Sequence, residues 1–284
     1  MSKKVDQYAV FGNPISQSRS PEIHQQFAAQ TDERLDYVRQ LVELDGFTEQ
    51  ATLFFANEGK GLNITLPFKL DAYAYADQLS VRAKLAGAVN TLIATETGVH
   101  GDNTDGVGLL YDIQKNLAWS LEGKNVLLIG AGGAARGVIE PLLAAGTSAV
   151  TIVNRTSKKA VELAALFQTV AEQNNNVVHG CGFDGLSDSE TPKQFDLIIN
   201  ASSSSISGNL PAIPESLLSR SLCYDMMYGS EPTAFLQWAA QNGAKGIADG
   251  LGMLVEQAAE SFYLWRGKRP QTTVVINALR QSLK

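Results

Sequence analysis

Short apolar runs punctuated by glycine, proline and asparagine recur along this chain, and their length predicts β-strands rather than helices. Tyr8-Ala9-Val10-Phe11 is the first, stopping at Gly12-Asn13-Pro14; Pro21 then stands in the first turn of a helix predicted to run to about Gln30. Further strands are predicted over 61–66, ended by Pro67, and over 88–94, with helices over 71–79 and from Gly106 onward. The runs at 125–129, 149–153, 195–200 and 222–226 are apolar on both faces, as parallel strands beneath crossover helices should be. The alternation predicts an α/β protein. A longer stripe of Leu251, Leu254, Val255, Ala258, Phe262 and Trp265 recurs at helical spacing over 250–266, with Asp249 placed to cap it and Gly267 to end it.

The run at 125–129 opens directly onto Gly130-Ala131-Gly132-Gly133-Ala134-Ala135 and a helical segment, 134–143. Strand, glycines and helix in that order form the layout that binds a dinucleotide pyrophosphate. Gly130 allows the tight turn, Gly132 lets the backbone approach the phosphates, and Ala135 is small enough for close packing. After the second strand, where NAD-binding domains carry an acidic residue for the ribose 2′-hydroxyl, this chain has Asn154-Arg155-Thr156 followed by Lys158-Lys159. That exchange predicts NADP as cofactor, with Arg155 the sharper signal, because a lysine pair at this spacing equally suits a solvated helix face. The motif also divides the chain: residues 106–249 are expected to form a Rossmann-like NADP-binding domain, and residues 1–105 a second α/β module for substrate. The helix over 250–266 is expected to cross back, so that 250–284 joins the first module, with a cleft between the two domains.

At 284 residues, 44% hydrophobic and 18% charged, the chain has the composition of a soluble globular protein with room for two ordinary cores. A formal net charge of −6 argues against nucleic-acid or anionic-membrane partners while leaving room for a local basic pocket. No 18-residue apolar run occurs, and the first residues lack the apolar stretch of a secretory leader, so neither membrane insertion nor export is expected. Cys181 and Cys223 lie far apart, with no metal-ligand spacing to the three histidines, His24, His100 and His179. A cytoplasmic protein without disulfide or metal is expected. Asp102 to Asp105 fails as a calcium loop, because the glycine at 106 would require an aspartate where Gly101 stands.

Two polar segments, 63–69 and 101–106, fall at strand ends or loops, where open α/β sheets collect ligands. Hydride exchange between an alcohol and nicotinamide also needs an acid/base group beside the reacting oxygen, and these segments offer Lys69 and Asp105. A single lysine is ordinarily solvated and an aspartate before a helix ordinarily a cap, so neither alone identifies a site. A helix start near Lys69 disfavours a cation there, whereas Asp105 favours the charged ammonium and can orient it.

Taken together, Asn13-Pro14-Ile15-Ser16-Gln17-Ser18-Arg19-Ser20-Pro21, the 63–69 segment, Gly87-Ala88-Val89-Asn90-Thr91, the 101–106 and 130–135 segments, Asn154-Arg155-Thr156 and the stretch from Asp249 to Gln257 resemble the motif series of the shikimate dehydrogenase family, in order and over nearly the whole chain. The resemblance implies NADP-linked reduction of 3-dehydroshikimate to shikimate in aromatic amino-acid biosynthesis, by a monomer or homodimer. It assigns Lys69 and Asp105 as the catalytic pair. Substrate contacts pass to Ser18 and Ser20 for the carboxylate, to Thr65, Asn90 and Gln257 for ring hydroxyls, and to Tyr228. Cofactor contacts pass to Gly130, Ala131, Gly132, Gly133 and Ala134, to Asn154, Arg155, Thr156 and Lys159, and to Met226 and Gly250 beside the nicotinamide. Ser205 departs from the glycine that many relatives carry there. Rival readings are a quinate/shikimate dehydrogenase with wider substrate and cofactor use, against which Ser20 and the missing acidic residue after Val153 argue, and a non-catalytic binder, which would be expected to lose Lys69 or Asp105.

Overall fold

The computed structural model describes residues 5–188, 191–202 and 208–283, and they form two compact units. The first runs to Gly108 and takes in Val255–Ala278; the second comprises Leu109–Leu254 together with the residues from Leu279 onward. Ser205 lies outside the described residues.

In the first unit, strand β1 (Asp6–Gly12) leads through helix α1 (Ser20–Thr31) to β2 (Leu35–Leu41), and helix α2 (Phe47–Ala56) leads to β3 (Gly61–Ile64). Next come helix α3 (Lys69–Tyr75), the short β4 (Gln78–Leu79), helix α4 (Val81–Ala86), and strands β5 (Thr91–Thr95) and β6 (Gly98–Asp102). The sheet order is β2-β1-β3-β5-β6-β4. β2, β1 and β3 are parallel, whereas β5 runs antiparallel to both β3 and β6. The hairpin is a departure from sequence expectation. Gly-Val-His-Gly-Asp over 98–102 has too weak an apolar pattern to read as a strand, yet it pairs along all five residues of β5. The helix expected over 71–79 likewise ends at Tyr75, because Asp77 donates its backbone N–H to Val99 O at 2.9 Å and Gln78–Leu79 pair with β6.

Both faces of this sheet are buried, which is why its central strands are apolar at consecutive positions. Ala9, Phe11, Leu62 and Ile64 meet Phe47 and Ala51 of α2, Phe68, and Ala72 of α3 on one side. On the other, Tyr8, Val10 and Tyr37 pack with Ile15 and Trp265. Trp265 lies near the end of helix α10 (Leu251–Arg266) and donates its indole N–H to Leu92 O at 3.1 Å.

The second unit holds β7 (Asn125–Ile129), α6 (Gly133–Ala144), β8 (Ala149–Val153), α7 (Ser157–Leu166), α8 (Gln168–Gln173), β9 (Val177–Cys181), β10 (Leu197–Asn200), β11 (Leu222–Asp225), α9 (Ala234–Gln241) and β12 (Gly246–Asp249). Helix α5 (Asp105–Tyr111) and a π-helical turn, Asp112–Asn116, precede it in the chain. All six strands are parallel in the order β12-β11-β10-β7-β8-β9. This is the doubly wound nucleotide-binding order, whose direction reverses between β7 and β10, where such sheets take their ligands. The strands expected at 125–129 and 149–153 form over those residues.

His24 is fully buried in the first unit, stacked on Tyr37 with ring centroids 4.3 Å apart, and its Nε2 lies 3.2 Å from Asn63 Oδ1. It is a core histidine. Burial lowers its pKa from 6.5 to about 3, outweighing the Asn63 bond, which acts in the opposite direction. Between those values the unfolded chain binds a proton that the folded chain refuses, so stability should rise with pH across the interval by up to about 1.4 kcal/mol per pH unit. His24→Phe should remove one proton's worth of that slope in urea titrations between pH 4 and 6.5; an unchanged slope would mean that His24 titrates normally in the folded state.

Candidate functional site

The strand directions of the first sheet decide where its polar residues meet. The C-terminal ends of β1, β3 and β6 and the N-terminal end of antiparallel β5 share one edge, since Asn63 pairs with Thr91 and Thr91 with Asp102 across the ladders. Chain segments leaving that edge carry Ser18 and Ser20 after β1, Thr65 and Lys69 after β3, Asn90 before β5 and Asp105 after β6. Residues far apart in sequence are thereby placed on a common rim.

Lys69, the first residue of α3, places Nζ 2.5 Å from Asp105 Oδ2, and both side chains are mostly withdrawn from solvent. The other carboxylate oxygen, Oδ1, accepts from Asn90 Nδ2 at 2.8 Å. Both oxygens of Asp105 are thus partnered, and the ammonium faces a fixed anion. Asn90 Nδ2 also lies 3.0 Å from Thr104 Oγ1 and 3.5 Å from Gln257 Oε1, so Asn90, Asp105 and Gln257 belong to one network. Ser18 Oγ donates to Ser20 Oγ at 3.2 Å, forming a separate hydroxyl pair. Thr65 is anchored through its backbone N–H to Phe11 O at 2.9 Å, and Asn13 N–H to Leu66 O at 3.0 Å knits the same two loops.

Behind this rim lies a buried support that sequence pattern alone does not reveal. The backbone N–H groups of residues 103, 104 and 105 are each received by a side-chain oxygen: Asp102 Oδ1 at 2.7 Å, Asn90 Oδ1 at 2.9 Å and Asn103 Oδ1 at 3.1 Å. Asp102 is itself clamped by Arg82, whose Nε and Nη2 donate at 2.7 and 2.8 Å, and by Ser80 Oγ at 2.6 Å. Burial pushes the Asp102 carboxyl up, but these donors outweigh it and hold the group below the usual carboxylate range. Asn63 accepts from Tyr37 OH at 2.7 Å, and its Nδ2 donates to Ser261 Oγ at 3.0 Å. Ser261 also meets Thr91 Oγ1 at 2.8 Å and Thr104 Oγ1 at 3.3 Å, and bonds Gln257 O at 3.0 Å. The only signal in the sequence is the density of Asn, Thr and Ser at strand ends, which is uninformative until the hairpin is known.

In the second unit, Gly130 leaves β7 at φ +114°, a conformation that suits glycine, and its N–H bonds Val153 O at 2.8 Å. Gly132 caps α6, and a Cβ added to Gly132 or Gly133 would meet nothing within 4 Å, so the loop with Ala131 and Ala134 presents open space before a helix N-terminus. That is the cradle an anion needs. Asn154 Nδ2 donates to Thr156 O at 3.1 Å at the end of β8, and Arg155, Thr156 and Lys159 are exposed. Lys158 instead faces Glu162 at 3.7 Å on the solvated side of α7. Neither Arg155 nor Lys159 has an acidic partner among the described residues. On the same sheet, Gly250 bonds Met227 O through its N–H at 3.1 Å, and a Cβ there would collide with Met226 O at 2.2 Å; Tyr228 follows in that loop.

Among the described residues no group of three or more His, Cys, Asp or Glu could hold a metal ion, and no helix is long and apolar enough to cross a membrane. Three family models match the chain: shikimate dehydrogenase substrate binding domain over residues 10–92, shikimate / quinate 5-dehydrogenase over 112–206, and shikimate 5'-dehydrogenase C-terminal domain over 250–280. A shikimate dehydrogenase (NADP(+)) of Saccharophagus degradans is 54% identical over 98% of this chain and 100% of its own. Among solved structures, an Ael1 enzyme from Pseudomonas putida is 42% identical with a TM-score of 0.88, covering 96% of this chain and 98% of that one. Shikimate 5-dehydrogenase from Thermus thermophilus, in complex with NADP(H) and shikimate, is 29% identical with a TM-score of 0.83, covering 98% and 100%.

Ser261 offers a direct test of the buried support. Its hydroxyl is fully buried and shared by Asn63, Thr91 and Thr104, so Ser261→Ala should remove the shortest contact of Asn63 Nδ2 and of Thr91 Oγ1, leave them their longer bonds within the network, and cost about 0.5–1.5 kcal/mol of stability in urea titrations. A loss below about 0.5 kcal/mol, within the range of ordinary surface substitutions, would show that the network closes without it.

Proposed function

The chain belongs to the shikimate dehydrogenase family, and on that premise we propose that it reduces 3-dehydroshikimate to shikimate reversibly with NADP, using Lys69 and Asp105 as its catalytic pair. The observation that carries the reading is the 2.5 Å contact between Lys69 Nζ and Asp105 Oδ2, with Asn90 closing the second carboxylate oxygen. When bound, the cofactor supplies the hydride. What the chain supplies is the proton. The Lys69 ammonium would stabilise the negative charge that develops on the substrate's carbonyl oxygen during reduction and give that oxygen a proton from Nζ; in the reverse direction neutral Lys69 would accept the hydroxyl proton. Asp105, held by Asn90 and by its backbone N–H to Asn103, keeps that ammonium in place. Ser18 and Ser20 would hold the carboxylate, and Thr65, Asn90, Gln257 and Tyr228 the hydroxyls.

The second unit fits the cofactor. Residues 130–134 would receive the pyrophosphate at the start of α6, and Arg155 with Lys159, unpaired by acidic side chains among the described residues, would take the 2′-phosphate beside Asn154 and Thr156. Met226 and Gly250 would border the nicotinamide. A cytoplasmic setting accords with two free, buried cysteines, of which Cys223 is pushed up to about 12 by burial. Absorbance at 340 nm, crossing shikimate and quinate with NADP and NAD, tests the whole reading: rapid turnover with shikimate and NADP alone supports it, and equal use of quinate would move the protein to the broader activity.

Lys69→Ala should lower kcat by roughly 10²–10⁴-fold while changing shikimate affinity far less, because a positioned acid/base group acts in the transition state. Asp105→Asn should also lose most turnover, and the double variant should fall short of the product of the two losses. Near-native turnover of the first, or full multiplicativity of the second, would reject the pair.

Arg155→Ala should raise KM for NADP and leave that for NAD nearly unchanged. Charge-assisted bonds of roughly 1.5–3 kcal/mol correspond to about a ten- to hundredfold loss of selectivity. Equal weakening toward both cofactors would place the 2′-phosphate contact elsewhere.

A further inference from the structure

The segment following β11 carries Met226 and Tyr228 and is fastened at successive points. Asp225, fully buried, receives the Met227 N–H at 3.0 Å and Thr233 Oγ1 at 2.6 Å. Gly250 donates its N–H to Met227 O at 3.1 Å, and its missing side chain lets the two backbones touch. The third fastening comes from far along the chain. Arg280, in the last turn of helix α11 (Thr272–Ser282), donates from Nη1 to Gly229 O at 3.1 Å and to Asp249 Oδ2 at 2.7 Å, and from Nη2 to Asp249 Oδ1 at 2.5 Å. Asp249 Oδ1 in turn accepts the Leu251 N–H at 3.2 Å at the start of α10. One guanidinium therefore ties the 226–229 loop to the turn that presents Gly250, and the carboxylate it grips is almost wholly enclosed.

We propose that Arg280 is a positioning residue for turnover, fixing Met226, Tyr228 and Gly250 relative to one another through its fork on Asp249 and Gly229. This deepens the reading above and rests on it, since that reading sets Met226 and Gly250 beside the reacting end of the cofactor and Tyr228 against the substrate. A planar five-donor group suits this role, since it engages both carboxylate oxygens and a carbonyl at once, and lysine cannot reproduce that geometry. The other end of the cofactor is independent of the tie. β8, which ends at Val153 just before Asn154, lies three strand spacings from β11, about 14 Å away.

The test uses the full chain as Arg280→Met and Arg280→Lys, with kcat, KM for NADP and shikimate, and the dissociation constant of 2′,5′-ADP, which probes only the 2′-phosphate end. Arg280→Met should lower kcat at least tenfold with 2′,5′-ADP affinity within twofold of the parent, and Arg280→Lys, which keeps one charged donor, should recover part of kcat. Should the methionine variant fail to fold, the lysine variant decides by the same split. Kinetic constants within twofold of the parent overturn the proposal, as does a loss of 2′,5′-ADP affinity that parallels the loss of kcat, which would mark general damage to the unit. A parent that lacks NADP-dependent shikimate turnover would defeat the underlying reading instead, and that outcome is seen before any variant is compared.

Discussion

Buried polar groups must find partners, and in the first unit this requirement shapes the loop from Asp102 to Asp105. The backbone there leaves β6 and turns into α5 with its amides out of contact with a sheet ladder, so side chains must receive them. Asp102, Asn90 and Asn103 do so one by one, and the loop has little freedom left. The position of the Asp105 carboxylate, and through it that of the Lys69 ammonium, follows from that arrangement. A loop satisfied by water instead would leave the same two residues free to sample many separations.

The same requirement propagates outward. Asp102 needs a cation because it is buried, and Arg82 supplies it while also reaching Glu260 of α10 at 3.1 Å. Burial disfavours the charged guanidinium, but Asp102 and Glu260 outweigh that and raise its pKa. Arg269 then meets Glu260 at 2.6 Å and the fully buried Glu256 at 3.5 Å. Since Gln257 sits beside Glu256 on this helix, the ionic chain and Ser261 together set the rotation of α10 and with it the direction of the Gln257 amide. Isolated exposed pairs contribute little, but these are mutually partnered and partly enclosed, a setting in which losing one member strands the others.

How much of this is legible in the sequence depends on how local each interaction is. The strands at 125–129 and 149–153 announce themselves by unbroken apolar runs, and the glycine turn between them is read within a dozen residues. A parallel doubly wound sheet repeats one local rule. The first unit does not. Its antiparallel hairpin joins 91–95 to 98–102, and the second strand of that pair reads Gly-Val-His-Gly-Asp, whose period is too faint to detect. Without it, Asn90 cannot be placed against Asp105, nor Asn63 against Thr91, and the roles of Asn103, Thr104 and Ser261 as supports stay hidden. Lys69 and Asp105 stand out as a charge pair near helix starts, yet their separation is set by residues that carry no charge.

Lys158 and Lys159 show the converse limit. Adjacent in sequence and identical in type, they point to different neighbours because successive helix positions turn by about 100°. Lys158 lies one turn before Glu162 and is drawn to it along the solvated side of α7. Lys159, with Arg155 at the strand end, keeps no acidic neighbour among the described residues. A basic cluster therefore cannot be counted as a phosphate site residue by residue; each cation has first to be cleared of the carboxylates its own helix offers. Those left over lie exposed beside the end of β8, next to a glycine turn whose following helix carries no acidic residue in its first turn, so that its amide dipoles act unopposed on an incoming anion.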